Sequence, residues 1–193
     1  IRDRLSTNYE KLDYLKVGQR GVGLALRTSW LQSQSDIVGY MDLDLATDLE
    51  HLKQVWSAFL EDKCDIVNSS RLLEESSVRK RSVKREIASR VFNKLVRVIL
   101  KVRLTDSMCG FKFFKTSVAK ELIDTGIKTN GWFFSAEILI KSLWMKKVLH
   151  EIPVRWEDDS NSKVNVFKLS IEYLSEIRRL KSERREFIEK HGC

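Results

Sequence analysis

The 193-residue sequence has one proline, eight glycines, three cysteines and three histidines. With so little proline and glycine, a long flexible linker is excluded, and no repeat or low-complexity tract interrupts the pattern. Cys64, Cys109 and Cys193 are odd in number, widely spaced and without a CxxC pair. That excludes a disulfide scaffold and a zinc site, and it suits a reducing compartment, so a cytoplasmic location is expected. No apolar run approaches the length that spans a bilayer. Ile1-Arg2-Asp3-Arg4 offers no secretory h-region and no initiator methionine, so the chain is expected to be part of a longer protein.

What is present is enough apolar content, 42%, for one domain with a real core. The net charge of +8 is concentrated. Between Val78 and Lys101 nine cations (Arg79, Lys80, Arg81, Lys84, Arg85, Arg90, Lys94, Arg97 and Lys101) face one carboxylate, Glu86. A localised basic segment calls for an anionic partner: phosphate, nucleic acid or an acidic membrane face. Nucleic-acid binders interleave aromatics with their cations. Phe92 is the one aromatic in this stretch, so a nucleic-acid partner is not expected.

Strand and helix patterns alternate, which predicts an α/β fold with a mainly parallel sheet flanked by helices. Tyr14–Val17 is a short strand candidate, and Gly21–Leu31 reads as a helix after a glycine-rich turn. Asp36–Met41 is a buried strand running into Asp42-Leu43-Asp44. Thr47-Asp48-Leu49-Glu50 has capping-box spacing ahead of an apolar helix through Phe59. Asp65–Asn68 is a strand. Val83–Lys101 is a long amphipathic helix in which Ile87, Val91, Leu95 and Val98 form one face, widened by Phe92 and Ile99, opposite Arg90, Lys94, Arg97 and Lys101. Phe111–Phe114 is a strand, and Gly126 ends the following helix. Ser135 is expected to cap a helix through Lys147. Val148–Trp156 alternates as an edge strand containing Pro153, and a charged helix starts near Val166.

Asp42 and Asp44 carry the sharpest chemical signal. Residues two apart on a strand share a face, so the pair is expected to present two carboxylates beyond the strand's carboxyl end, where open α/β sheets bind ligands. Hard oxygen donors of this kind suit Mg²⁺ or Mn²⁺ and leave positions for a diphosphate; an acidic loop is the plainer reading. Gly21 and Gly23 stand before a helix N-terminus, where backbone N–H groups bind phosphate or the glycines simply serve a tight turn. Arg71, after the next strand, is either an anion clamp or a surface ion pair. The single histidines His51 and His150, the tryptophans Trp144 and Trp156 and Cys109 are read as packing residues.

In order, these segments resemble family 2 glycosyltransferases of the dolichol-phosphate mannose/glucose synthase branch. Those that carry the resemblance are Gly21–Arg27, Met41–Asp48, Ser70-Arg71, Arg85–Asn93, Asp106–Lys112, Gly131–Phe134 with Glu137, Glu151–Trp156, and Ser162-Lys163-Val164. It spans Val17 to Lys168 and implies a GT-A-type fold. The proline-x-Asn-Glu strand and the following Asp-rich turn, which hold the nucleotide's base in that family, have no counterpart. The implied division is a partial nucleotide-binding part over 1–17, a metal, donor and acceptor part over 18–165, and a C-terminal charged helix over 166–193.

The resemblance further implies inverting transfer of a hexose from a nucleotide sugar to a polyprenyl phosphate, at the inner face of a membrane. Asp42 and Asp44 would hold Mg²⁺ or Mn²⁺. Arg71, Lys163, Arg27, Gly21 and Gly23 would bind the donor's phosphates. Arg85, Ser89, Arg90, Asn93, Lys112 and Trp132 would bind the acceptor, and the loop Glu74–Arg81 would close over the donor. An acceptor phosphate needs no strong base, since its second pKa lies near ~6. A sugar-hydroxyl acceptor would need one, with Asp106 first and Glu137 second; Ser135 stands where many relatives carry Asp. The competing readings are a nucleotidyltransferase and a non-catalytic anion-binding domain.

Overall fold

In the computed structural model the described residues are 14–158 and 166–192, and side chains at 166–168 are also left aside. Lys163, the Ser162-Lys163-Val164 segment and most of the expected 1–17 part lie outside them. The elements, in chain order, are α1 (Val22–Gln32), β1 (Ile37–Met41), a 3-10 turn (Leu49–His51), α2 (Leu52–Leu60), β2 (Ile66–Ser70) and β3 (Ser77–Arg79). They continue with α3 (Val83–Leu100), β4 (Phe111–Lys115), α4 (Thr116–Asp124), α5 (Phe134–Trp144), β5 (Leu149–Pro153), β6 (Arg155–Glu157) and α6 (Val166–His191).

The main sheet has the order β1-β4-β2-β5. β2 and β5 pair in parallel, while β4 runs against both β1 and β2. Three of its four strands therefore point one way, with β4 alone reversed between β1 and β2, in an α/β layer arrangement of the expected kind. β4 follows α3 and the 101–110 loop and enters between β1 and β2 in reverse, pairing with both through antiparallel ladders. Pro153 ends β5 on the sheet edge, where its missing N–H breaks no ladder.

β2 is buried along its whole length, as a central strand must be. Its alternating side chains serve two cores. Ile66, with Val38 and Phe114, faces α1, α3, α4, α5 and α6. Val67, with Phe111, Cys109 and Ile152, faces α2 and β6. Burial pushes the Cys109 thiol up, in keeping with a packing role.

Several boundaries move for local reasons. Residues 14–17 form no strand. Asp48, not Thr47, caps the 3-10 turn, accepting from the Glu50 amide at 2.9 Å. Ser82 caps α3 and accepts from the Arg85 amide. Gly126 closes α4's end at φ +82°, a left-handed conformation that glycine adopts without strain. Ser135 lies within the first turn of α5, which begins at Phe134, so it is no cap.

The largest departure concerns α3. The expected face is split: Ile87, Val91 and Val98 are exposed and Leu95 is half-buried, while Phe92 and Ile99 pack inward as expected. The helix packs instead through Phe92, Asn93, Val96, Ile99 and Leu100, and it lies along α6. Asn93 takes the inward place because its side chain has partners there. Its Oδ1 accepts from both the amide and the hydroxyl of Ser107, each at 2.8 Å.

Candidate active site

β1 ends at Met41, one residue before the acidic pair, so strand alternation does not place the carboxylates as expected. The chain turns instead: the Leu45 amide donates to the Asp42 carbonyl at 3.1 Å, with Leu43 and Asp44 at the corners. Both carboxylates still line one cavity of about 540 Å³. The Asp42 amide donates to the Gly110 carbonyl at 2.8 Å, which ties the turn to the start of β4. The Asp42 carboxylate lies over Gly110, where an added Cβ would stand 2.0 Å from its oxygen. Only glycine leaves that space. Burial pushes Asp42 above the ordinary carboxylate range; Lys112 opposes the rise and Asp44 adds to it.

Across the cavity the wall is cationic. Arg71 follows β2 and is held by Asp106 through a two-pronged ion pair, Nε to Oδ2 at 2.7 Å and Nη2 to Oδ1 at 3.1 Å. Burial disfavours both charges, but each partner outweighs it: the Asp106 carboxyl stays well below its usual range and Arg71 is held firmly charged. The Met108 amide also donates to Asp106 Oδ1, at 3.1 Å. Arg71 and Arg81 both lie over the Trp156 ring, at 5.3 and 5.6 Å from its centroid.

The small β3–β6 sheet sets this wall. β6 pairs with β3 in parallel, and Thr47 bridges to Trp156, so β6 is joined to the chain leaving the acidic turn. Arg81 follows β3 and pairs with Glu86 at 3.0 Å. Arg85 pairs with Asp158 at 2.5 Å, and Ser89, Trp132, Ser135 and Tyr173 complete the lining. The Tyr40 hydroxyl, two residues before Asp42, donates to Ser135 Oγ at 2.6 Å.

The structure thus brings Asp42, Asp44, Arg71, Arg85, Ser89 and Trp132 to one cavity. The other described candidates stand elsewhere. Asp106 is fully buried behind Arg71, with both carboxylate oxygens engaged by that guanidinium. Glu137 is fully buried in α5. It accepts from the Thr129 hydroxyl at 2.6 Å and pairs with Lys141 at 3.1 Å and Arg179 at 3.0 Å, so it fastens the 127–130 loop to α6.

Arg27 donates to the Ile127 carbonyl at 2.6 Å and to the Asn130 side chain, which ties α1 to that same loop. Gly21 and Gly23 serve close packing: a Cβ at either would stand 2.5 Å from Asn130 or Phe134. The Leu24 amide donates to the Asn130 carbonyl at 3.3 Å, which ties this helix start to the 127–130 loop. Arg90 pairs with Glu86 on a neighbouring surface cavity beyond the wall. Asn93 packs inward, as described. Lys112 is wholly buried beneath the cavity floor, its ammonium donating to the Cys109 carbonyl, and burial pushes its pKa down to about 8.

Sequence reasoning missed Tyr40, Asp158 and Tyr173 as lining residues, placed Arg81 only in a loop over the donor, and left Trp156 as a core or groove aromatic. Tyr40 was accessible to it, since strand alternation places it on the Asp42 side of β1. The others depend on the β3–β6 pairing and on how α6 lies against α3, for which the sequence carries no local signal.

Comparison with known proteins agrees with this architecture. The family model described as "Glycosyl transferase family 2" matches residues 1–123. The chain is 32% identical over 169 residues to the glycosyltransferase AglD of Haloferax volcanii, covering 87% of this chain and 27% of that protein. It is 27% identical to the dolichyl-phosphate beta-glucosyltransferase of Saccharomyces cerevisiae, covering 84% of this chain and 52% of the relative. The Drosophila melanogaster protein of that name is 30% identical, with 82% and 50% covered. The chain spans at most about half the length of these relatives. Glucosyl-3-phosphoglycerate synthase from Mycobacterium tuberculosis, solved with phosphoglyceric acid, shares the fold at a TM-score of 0.58 and 15% identity, over 88% of this chain and 56% of that one. The extent of the family match settles the assignment: the chain belongs to glycosyl transferase family 2.

Proposed function

We propose that the chain moves a hexose from a nucleotide sugar to a polyprenyl phosphate with inversion, working at the cytoplasmic face of a membrane. One observation carries the reading: a carboxylate pair and a row of arginines face each other across a single cavity. A sugar diphosphate needs both, a cation site for its oxygens and fixed positive charge where negative charge develops on bond cleavage. The names of the eukaryotic relatives supply the acceptor class.

Asp42 and Asp44 are the residues that fit a divalent ion. They are two hard oxygen donors at an open cavity, and burial of Asp42 favours a partner cation. Among the described residues no third His, Cys, Asp or Glu joins them, which suits Mg²⁺ or Mn²⁺, since such ions keep waters and substrate phosphates as ligands. When bound, the ion would neutralise the leaving diphosphate's charge. Arg71, kept charged and fixed by Asp106, presents its guanidinium to the same space without reorganising.

Arg85 and Ser89 line the α3 side, where an acceptor phosphate would sit. Besides Asp42 and Asp44, the one carboxylate among the described lining residues is Asp158, and it is paired with Arg85. With Asp106 and Glu137 sealed away, the cavity suits an acceptor that arrives ionised, which favours a phosphate over a sugar hydroxyl. The test is transfer of labelled hexose to polyprenyl phosphate with Mn²⁺. Asp44→Ala is expected to lower turnover by about 10²–10³-fold, the range seen for lost charge stabilisation, with the fold intact. Wild-type turnover in that variant would refute the site.

A further inference from the structure

Two arginines of the cavity wall are held in different ways. Arg71 is fixed: Asp106 grips it through two contacts and is itself fully buried. Arg85 meets Asp158 in a one-pronged contact, Nη1 to Oδ2 at 2.5 Å, and the Arg85 side chain stays 34% exposed. Asp158 follows β6 directly, lines the cavity, and donates its amide to the Arg79 carbonyl at 3.1 Å. That hydrogen bond anchors the backbone. The carboxylate can therefore leave Arg85 by rotating about its own side-chain bonds, while β6 stays paired with β3. A pair of this kind favours contact by roughly fivefold at most. Ser89, one helical turn beyond Arg85 on α3, completes the place assigned to the acceptor phosphate. Ligand and Asp158 thus compete for one guanidinium. A phosphate monoester brings about −1.5 to −2 charge to that contest near neutral pH, and a carboxylate brings one.

We propose that Asp158 is a resident stand-in for the acceptor phosphate: it holds Arg85 before the acceptor arrives, yields it to the phosphate monoester, and takes it back from the product. This role rests on the acceptor-phosphate reading. The charge change of the reaction drives the cycle. In transfer, an oxygen of the acceptor phosphate forms a bond to the anomeric carbon of the hexose. The bond from that carbon to the donor's diphosphate breaks, and its electron pair leaves with the nucleoside diphosphate. The acceptor enters as a monoester with about two negative charges and ends as a diester with one. A monoanion has no charge advantage over Asp158 at Arg85, so the carboxylate returns and loosens the product. Competition weakens both ligands by the same factor, and the diester, the weaker of the two, falls away first. A purely structural Asp158 would act with the opposite sign, since holding Arg85 in place would strengthen phosphate binding.

The experiment is an amide NMR titration of the 193-residue chain, read at Ser89, with methyl phosphate and dimethyl phosphate at about pH 8, where the monoester is a dianion. Wild type is expected to bind the monoester more tightly than the diester. Asp158→Asn, or Asp158→Ser, removes the charge and should tighten both about fivefold. Asp158→Glu restores an anion and should return both to near wild type. With Arg85→Ala also present, Asp158→Asn should bring no gain, which places the competition at that guanidinium. In transfer assays of Asp158→Asn, the KM for polyprenyl phosphate and the inhibition constant of the product should both fall about fivefold. Unchanged or weaker phosphate binding in Asp158→Asn and Asp158→Ser, with melting temperature confirming the fold, would overturn the proposal. So would a gain that survives Arg85→Ala, or no monoester binding at all. The expected exchange without any hexose transfer would leave Asp158 in its role at Arg85 and refute the transferase reading instead.

Discussion

Two groups of carboxylates, the Asp42–Asp44 turn and Glu137 in α5, have the same chemistry in opposite settings. Asp42 is half-buried at a cavity, and burial without a fixed ion-pair partner raises its pKa. Glu137 is wholly buried but surrounded. Burial raises it, while the Thr129 hydroxyl, Lys141 and Arg179 outweigh that and hold it below its usual range. A carboxylate whose needs are met by the protein has nothing left to offer a ligand. One that is pressed towards neutrality beside an open space does. The two settings differ in geometry: Asp42 borders an open cavity, while Glu137 is enclosed by Thr129, Lys141 and Arg179.

Substitutions can break this contrast. Glu137→Ala would leave Lys141 and Arg179 without their carboxylate and should cost about 3–5 kcal/mol of stability, read by denaturant unfolding, while transfer per folded molecule stays near wild type. A large loss of turnover in folded Glu137→Ala would erase the distinction. The acid limb follows from the same cause. A depressed carboxylate contributes stability that is fully present above its unfolded value near ~4.3 and is lost as pH falls through the folded one. Wild type should therefore lose stability more steeply than Glu137→Gln as the pH drops below that point.

Gly110→Ala tests the other side. Its Cβ would strike the Asp42 carboxylate, so that side chain must rotate away, and turnover should fall at least tenfold, about 1.4 kcal/mol in the barrier. The smallest effect on catalysis belongs to Arg27→Ala. Losing its two hydrogen bonds to the 127–130 loop should cost roughly 1–3 kcal/mol of stability and leave the KM for the nucleotide sugar unchanged. A raised KM would return Arg27 to the donor site.

Much of the fold was legible because it rests on local pattern. The strand that delivers Asp42, the helix after the Thr47–Glu50 cap, and Gly126 as a helix end each depend on residues adjacent in sequence. What failed depended on tertiary context. The apolar stripe of α3 obeys helical spacing, but periodicity does not say which side meets the core; Asn93, through Ser107, decides that. Gly21 and Gly23 looked ready for phosphate because nothing in the sequence shows the 129–134 segment packing against them. Asp106 looked like a base because its bidentate Arg71 lies 35 residues away. Asp42, Asp44, Arg71, Arg85, Ser89 and Trp132 do meet at the cavity, the first two by a turn and not by strand alternation.

The most direct test of the account is Mn²⁺ binding, followed by titration calorimetry in the presence of a nucleoside diphosphate. Wild-type chain should bind the ion with one-to-one stoichiometry, and Asp42→Asn or Asp44→Ala should remove that binding while Glu137→Gln keeps it. Binding that survives loss of either aspartate, or that depends on Glu137, would contradict the assignment of the acidic turn as the place where the diphosphate is held.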